Sequence, residues 1–289
     1  MLGYRLPEST EPEDLTDRIA SRLGQAIHAS VEDVWRNHHV ATMRKLDMPE
    51  KLIKRILINP TQAMIDQFVI DNGHDPVLVW LEQRYFRQIN GIVVSGQFDL
   101  IIDGELNDVK TTGVYGYLNG SNDENYVIQM SIYRWINPEK VTSEIGRIQY
   151  VFTDWSRMQQ RQNPKYPPHR VHEAKYNLMG IRETELWIKE KLLDITTNAQ
   201  LDQDQMVRCT DSELWMSDPQ FKYYAKQASF EMGKKSTKNF TSMQEALLHK
   251  STKGKGLGYI HTQVSEPKRC GFCPAASICE QRKEYFPDA

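Results

Sequence analysis

Cysteine is scarce in this chain and confined to one end: there are four, Cys209, Cys270, Cys273 and Cys279, and none before position 209. No apolar run approaches the ~20 residues that a membrane helix needs, which excludes a helical membrane span. The first residues, MLGYRLPESTEPEDL, are polar and acidic and resemble neither a secretory nor a transit signal, so a soluble, cytoplasmic protein is expected. Reduced thiols follow from that expectation, and disulfides are discounted. Neither sign of charge dominates: 36 Lys+Arg against 38 Asp+Glu give a formal net charge of −2, which does not advertise nucleic-acid binding. There is no internal repeat and no long low-complexity tract, which excludes a solenoid. What is present, 39% hydrophobic and 10% aromatic residues in 289, allows a real buried core in one large domain or a core plus a smaller lobe.

The most informative stretch is residues 97–110, which end GELNDVK. Asp103-Gly104 is a hairpin-turn signal between two apolar runs, Phe98–Ile102 and Leu106–Val109. A two-residue turn sets Ile102 opposite Glu105, Leu100 opposite Asn107 and Asp99 opposite Asp108. Opposed residues share a face, and Lys110 shares it too, two residues past Asp108. Carboxylates held opposite each other repel, and a divalent cation between them removes the repulsion. Hard oxygen ligands suit Mg2+ or Mn2+, and an adjacent lysine can position a water or neutralise a phosphate. That is a minimal kit for metal-dependent phosphodiester hydrolysis.

Two helices flank this hairpin in sequence. Residues 13–35 carry an apolar stripe of Leu15, Ile19, Leu23, Ile27, Val31 and Val34, with His28 and Glu32 one turn apart. Residues 123–136 form a second helix, with Gln129 and Tyr133 again spaced by four and Tyr126, Ile132 and Trp135 read as core.

Taken in order, Gly24-x-x-x-His28-x-x-x-Glu32, Glu82, Gly96-x-x-Asp99, Asp108-Val109-Lys110 and Gln129-x-x-x-Tyr133 resemble the RecB-type branch of the PD-(D/E)XK nucleases, which includes the nuclease domains of RecB and AddB and the iron–sulfur nucleases of CRISPR spacer acquisition. The resemblance covers about half the chain, up to about residue 153. It implies that His28, Asp99, Asp108 and the Val109 carbonyl hold a catalytic Mg2+ or Mn2+. It implies that Lys110 orients the attacking water and offsets charge on the scissile phosphate. Gln129 would contact the nucleic-acid strand or that water, and Tyr133 would hold its helix against the site or touch the substrate backbone. Glu82 and Glu32 would support the ligands.

The last three cysteines read CGFCPAASIC, a C-x-x-C-x-x-x-x-x-C run. Spacing alone leaves a structural zinc site and a four-iron four-sulfur cluster equally open. The family resemblance favours the 4Fe-4S cluster, because iron–sulfur members carry such a run after the nuclease motifs plus one distant cysteine. In those members the distant cysteine precedes the nuclease motifs; here the fourth ligand falls to Cys209, which leaves none over.

The coarse pattern predicts helices at 40–58 and 61–71, strands at Tyr85–Ile89, Ile92–Ile102 and Leu106–Lys110, then the 123–136 helix and a strand at Arg147–Thr153. A loop or hairpin arm over 154–175 and a helix at 180–196 follow, and a loop-rich portion with one short helix near 242–250 ends the chain. The expected fold class is α/β, a mixed central sheet flanked by helices in a restriction-endonuclease-like core, with a C-terminal cysteine-bearing metal-cluster subdomain. The expected domains are 1–200 and 201–289. Two basic runs, one from Lys234 to Lys255 and one through Arg157, Arg161, Lys165, His169 and Arg170, are placed to track a phosphate backbone, with Tyr166, Tyr223, Tyr224 and Phe240 near them to stack on bases. The expected function is a divalent-metal-dependent DNA exonuclease in recombination, repair or phage DNA metabolism. Its substrate would be single-stranded DNA or free DNA ends, and its partner a helicase, a recombinase or a single-strand-binding protein. The alternatives are a structure-specific endonuclease on the same core and a non-catalytic, cluster-bearing DNA-binding partner.

Overall fold

A computed structural model describes residues 15–120 and 122–287; Glu13 and Asp14, and the polar N-terminal stretch before them, lie outside the described residues. The chain opens with α1 (Leu15–Asp33), one π-helical turn (Val34–His38), α2 (His39–Lys45) and the short α3 (Glu50–Ile53). Then come β1 (Ile56–Ile58), α4 (Gln62–Asn72), β2 (Val77–Ile89), β3 (Ile92–Ile102) and β4 (Glu105–Thr112). After α5 (Val114–Leu118) and α6 (Asp123–Ile136) follow β5 (Ile145–Phe152), α7 (Arg157–Gln162), β6 (Val171–Asn177) and α8 (Ile181–Ala199). The described residues fall into two compact units that divide between Leu192 and Leu193.

In the first unit all six strands form one mixed sheet in the order β1-β2-β3-β4-β5-β6. β1 runs parallel to β2 and β4 parallel to β5, while the other pairs are antiparallel. Each parallel pair is joined through a helix, α4 and α6 respectively, as a parallel connection requires. The core sits between this sheet and α6: Met130 from the helix meets Ile101, Leu106, Ile148 and Phe152 from the central strands, all buried. Burial of each such side chain is worth about 1.5–3 kcal/mol. This is the mixed α/β architecture read from the sequence.

The β3–β4 register is set by its turn. Asp103 and Gly104 both take positive φ, 49° and 82°, the type I′ geometry whose twist matches the flanking strands. The ladder that follows pairs Ile102 with Glu105, Ile101 with Leu106 and Leu100 with Asn107. Gly104 is required twice over, since a Cβ there would collide with the Thr142 hydroxyl.

Several expected elements differ. Residues 56–58, placed in a 40–58 helix, are β1, because Ile56-Leu57-Ile58 find a strand partner in Val77-Leu78-Val79 that lies some twenty residues on. β2 begins at Val77 rather than Tyr85. The 154–175 arm contains α7 and most of β6, which pairs along the whole of β5. On α1, Ile19 and Leu23 are exposed, as is Val34 in the π-helical turn after it, so the apolar stripe is not continuously covered among the described residues. α8 buries Thr184 and Ile188 and packs Ile181 and Leu192 inward, while Leu186 and Ile195 face solvent; the spacing of four picks out the inner face and Leu186 falls off it.

The second unit is more regular than a loop-rich segment. It holds α9 (Asp211–Leu214), β7 (Gln220–Tyr224), α10 (Gln227–Glu231), β8 (Lys238–Phe240), α11 (Met243–Thr252), β9 (Tyr259–Gln263), two 3-10 turns (Lys268–Phe272 and Ala276–Ile278) and α12 (Glu280–Tyr285). β7 is the centre of an antiparallel sheet ordered β8-β7-β9. No helix among the described residues is long and apolar enough to cross a membrane.

Gly104→Ala tests the turn. The added Cβ meets both left-handed backbone and Thr142, and the expected loss is about 2 kcal/mol, seen as a lower urea midpoint with an unchanged slope. An unchanged midpoint would mean that the turn does not fix this register.

Candidate active site

Three carboxylates lie in one row across three adjacent strands. Glu82 falls between the pairs Leu81–Leu100 and Gln83–Phe98, hence opposite Asp99 on β3. Asp99 in turn falls opposite Asp108 on β4, the next position of a ladder that runs through Leu100–Asn107. Glu82 takes a positive φ of 48°, unusual for a non-glycine residue inside a strand. One ligand atom each from His28, Glu82 and Asp99 lie within 4.8 Å of one another, a spacing at which a single cation can be held.

Each member is oriented by a specific bond. The Val109 N–H donates to Asp99 Oδ2 at 2.9 Å, which ties the two strands together across the row. His28, delivered by α1, places Nδ1 3.2 Å from Asp99 Oδ2 and Nε2 2.8 Å from the Val109 carbonyl oxygen. Both ring nitrogens face acceptors, which favours the doubly protonated ring, and the pKa of His28 is raised, first by its bond to Asp99. A protonated His28 therefore supplies positive charge between the acids where a cation would sit. Gln97 Nε2 donates to Glu82 Oε2 at 2.8 Å. Burial raises the Glu82 carboxyl, with the charges of Asp99 and Glu32 adding to it. Glu32 itself turns to Arg36, 2.6 Å away on the next turn.

Asp108 is almost fully buried, and its pKa is pushed up to about 6, first by burial and then by the charge of Asp99. Lys110 Nζ lies 2.7 Å from Asp108 Oδ2, an ion pair that offsets part of this burial. The donor set of carboxylates, a carbonyl and one imidazole is hard, and it fits Mg2+ or Mn2+.

α6 closes the opposite side. Lys110 Nζ donates to Gln129 Oε1 at 3.3 Å, and Gln129 Nε2 donates to Tyr133 OH at 2.8 Å and to Asp108 Oδ1 at 3.4 Å. Tyr133 packs so closely over β3 that a Cβ on Gly96 would sit 2.7 Å from its ring. Lys110 also lies 5.5 Å from the centroid of the Tyr126 ring. The structure thus brings His28, Asp99, Asp108, Val109, Lys110, Gln129 and Tyr133 together, with Glu82 among them. Sequence reasoning passed over Gln97 and read Tyr126 only as core; Gln97 sits two residues before Asp99, a spacing that places both on one face.

The four cysteines lie in the second unit, and none is in a disulfide. The Gln281 side-chain amide clamps the Cys209 backbone, accepting from its N–H at 2.9 Å and donating to its carbonyl at 2.9 Å. Arg208 makes paired hydrogen bonds to both Glu284 oxygens. Cys209 is thereby held beside the C-terminal run. Its thiol is pushed up by burial and by the charges of Glu213, Cys279 and Cys273, and that of Cys270 by burial and by the other three cysteines.

The stacking residues read from sequence are corrected. Tyr166, Tyr223 and Tyr224 are buried and cannot receive a base. The Tyr166 hydroxyl accepts from the Ser156 N–H, and that of Tyr223 donates to the Leu257 carbonyl. Arg170 spends its guanidinium on the carbonyls of Phe152, Thr153 and Trp155 and so serves the loop rather than a phosphate.

The profile of the PD-(D/E)XK nuclease superfamily matches residues 2–280. No curated protein matches the chain. Among solved structures, the crystal structure of SSO0001 is similar at 16% identity, over 57% of this chain and 70% of that one, with a TM-score of 0.28, too loose a likeness to argue from. The chain belongs to the PD-(D/E)XK nuclease superfamily, and with that goes a divalent-metal-dependent nuclease.

Asp108 and His28 give the metal-free protein a defined pH response. The folded pKa of Asp108, about 6, lies above the ordinary carboxylate value of about 4, so the fold retains a proton that the unfolded chain releases. Its contribution falls as pH rises through that window. The raised His28 contributes stability that is full below its ordinary value and lost as pH rises through the raised one. Metal requires these ligands deprotonated. Mn2+ is therefore expected to raise the melting temperature, relative to EDTA, by more at pH 7.5 than at pH 5. Asp108→Asn should raise the melting temperature in EDTA at pH 7.5 and abolish the Mn2+ effect. Equal metal effects at both pH values would contradict this site.

Proposed function

We propose that this protein is a RecB-type DNA exonuclease whose active site is built by His28, Asp99, Asp108, Val109 and Lys110, and whose second unit carries an iron–sulfur cluster. The observation that carries the reading is the gathering of His28, Glu82 and Asp99 in the same row as the buried Asp108, itself ion-paired to Lys110. His28, Glu82 and Asp99, whose ligand atoms gather within 4.8 Å of one another, would hold the divalent ion, with Asp108 and the Val109 carbonyl, expected from the resemblance, completing the set. When bound, that ion supplies Lewis-acid polarisation of the scissile phosphate. Lys110 aligns a water for in-line attack, so that the new O–P bond forms as the ester P–O bond breaks, and its ammonium offsets the charge that develops on phosphorus oxygens. Gln129 holds Lys110 and Asp108 at fixed separation from α6, and Tyr133 fixes Gln129. The activity fits DNA recombination, repair or phage DNA metabolism, with free or single-stranded ends as substrate.

For the second unit, the clamp of Gln281 on Cys209 supports a four-cysteine site. The resemblance to the iron–sulfur members of the branch favours a four-iron cluster over zinc at this site. The cluster's role is to tie the 3-10 turns and α12 to the segment around Cys209, contributing folding energy rather than chemistry.

The test of the activity uses end-labelled linear DNA, single- and double-stranded, beside covalently closed circles, each with Mn2+, Mg2+ or EDTA. Loss of linear DNA only, dependent on metal and reduced at least about a hundredfold by Lys110→Ala, is expected. Cutting of circles would move the reading to an endonuclease, and no cutting by metal-loaded protein would overturn it. Cys273→Ser should lose the iron chromophore and lower the melting temperature while the folded fraction retains metal-dependent cleavage. Loss of iron with an unchanged melting temperature would refute the stapling role.

A further inference from the structure

The strand that carries Glu82 loses its outer partner just before that residue. β1 pairs with β2 only as far as Ile58 opposite Val79. One more backbone bond follows, from the Asn59 N–H to the Val79 carbonyl at 2.8 Å. In a parallel ladder the next bond would run from the Leu81 N–H to the Asn59 carbonyl. The chain has turned away by then. Asn59 takes a positive φ of 45°, which asparagine tolerates better than most residues, and Pro60 follows with no N–H to offer.

The Asn59 side chain takes the place of that carbonyl. Its Oδ1 accepts from the Leu81 N–H at 2.8 Å, and its Nδ2 donates to the Leu81 carbonyl at 3.5 Å. The same Oδ1 accepts from Gln83 Nε2 at 3.0 Å. One oxygen therefore holds the residues on both sides of Glu82. Gln83 is fixed at its other end, where its Oε1 accepts from Lys140 Nζ at 2.9 Å and from the Tyr85 hydroxyl. Lys140 itself is seated over the Trp80 ring, 3.3 Å from the centroid.

Between these two held residues, Glu82 has its left-handed φ of 48°. A non-glycine residue keeps such a backbone only where its surroundings over-determine it, and such residues gather at functional sites. The kink has a consequence at each neighbour. Leu81 stays buried against Val79 and Leu100, while Glu82 reaches the group formed with His28 and Asp99.

We propose that Asn59 is a positioning residue for the metal centre. Its side-chain amide stands in for the missing strand partner and fixes Leu81 and Gln83. Glu82 thereby keeps the left-handed backbone that brings its carboxylate to His28 and Asp99. The role rests on the reading of His28, Glu82 and Asp99 as ligands of the divalent ion.

Mn2+ affinity, read for the full-length protein from the EPR signal of the free ion, separates positioning from simple stabilisation. Asn59→Ala should weaken Mn2+ binding about tenfold, a loss typical of groups that orient a metal ligand. With Glu82→Ala already in place there is no carboxylate left to orient, and the same substitution should leave the affinity unchanged. Any fall in melting temperature should appear in both backgrounds. Asn59→Asp, which keeps an oxygen for the Leu81 N–H, should keep the affinity. If Asn59→Ala does not fold, Gln83→Leu decides by the same cycle, with a smaller loss that again requires Glu82. Unchanged affinity in folded Asn59→Ala, or an equal loss with and without Glu82, would overturn the positioning role and leave the nuclease reading standing. A wild-type protein that binds no Mn2+ would remove the metal centre and this role together.

Discussion

The repulsion among Glu82, Asp99 and Asp108 is the constraint on which the rest of the first unit turns. Two unit charges about 4 Å apart interact at about 4 kcal/mol even at a generous effective dielectric, and this row is partly buried. The protein meets that cost with cations and with hydrogen bonds to backbone. His28 is placed between Asp99 and the Val109 carbonyl, Lys110 pairs with Asp108, and the Val109 N–H is spent on Asp99. What these groups leave uncompensated shows in the elevated pKa of the buried Asp108. A divalent ion at the proposed site would complete the compensation, drawn in by the same residual negative potential.

The scaffold makes the row rigid enough for this to matter. The type I′ turn at Asp103-Gly104 leaves no slack in the β3–β4 register, so Asp99 cannot slide away from Asp108 without turning a whole strand face over. The buried Met130 and Trp135 anchor α6 on the sheet, and the small residue at Gly96 lets Tyr133 approach β3. Gln129 is thereby carried to Lys110 and Asp108. Stability and chemistry are thus opposed at Asp108 and cooperate at Tyr133.

How far the sequence discloses this depends on the range of the interactions. The β3–β4 hairpin was legible because its turn, its alternation and its opposed acids all lie within fifteen residues. His28 and Gln129 were legible only through family resemblance, since nothing local in either helix says which face meets β4. Glu82 was harder still: its place opposite Asp99 depends on the whole β2–β3 register, and its left-handed backbone has no sequence signal. β1 was hidden because Ile56–Ile58 suit a helix or a strand alike until Val77–Val79 arrive as a partner. The sheet of the second unit was missed for the same reason, since β7 pairs with residues that lie both fifteen and forty positions away. The misplacement of Tyr166 as a stacking residue came from reading an aromatic beside lysines without knowing that its hydroxyl is taken up by Ser156.

The measurement closest to the centre of this account is a calorimetric titration of the metal-free protein with Mn2+ near pH 6.5, repeated in buffers of different ionisation heat. If the cation replaces protons held by His28 and Asp108, binding will release on the order of one proton per ion, and fewer as the pH is raised. Binding without proton release, or with release unchanged by Asp108→Asn, would contradict the claim that the acid row is the metal site.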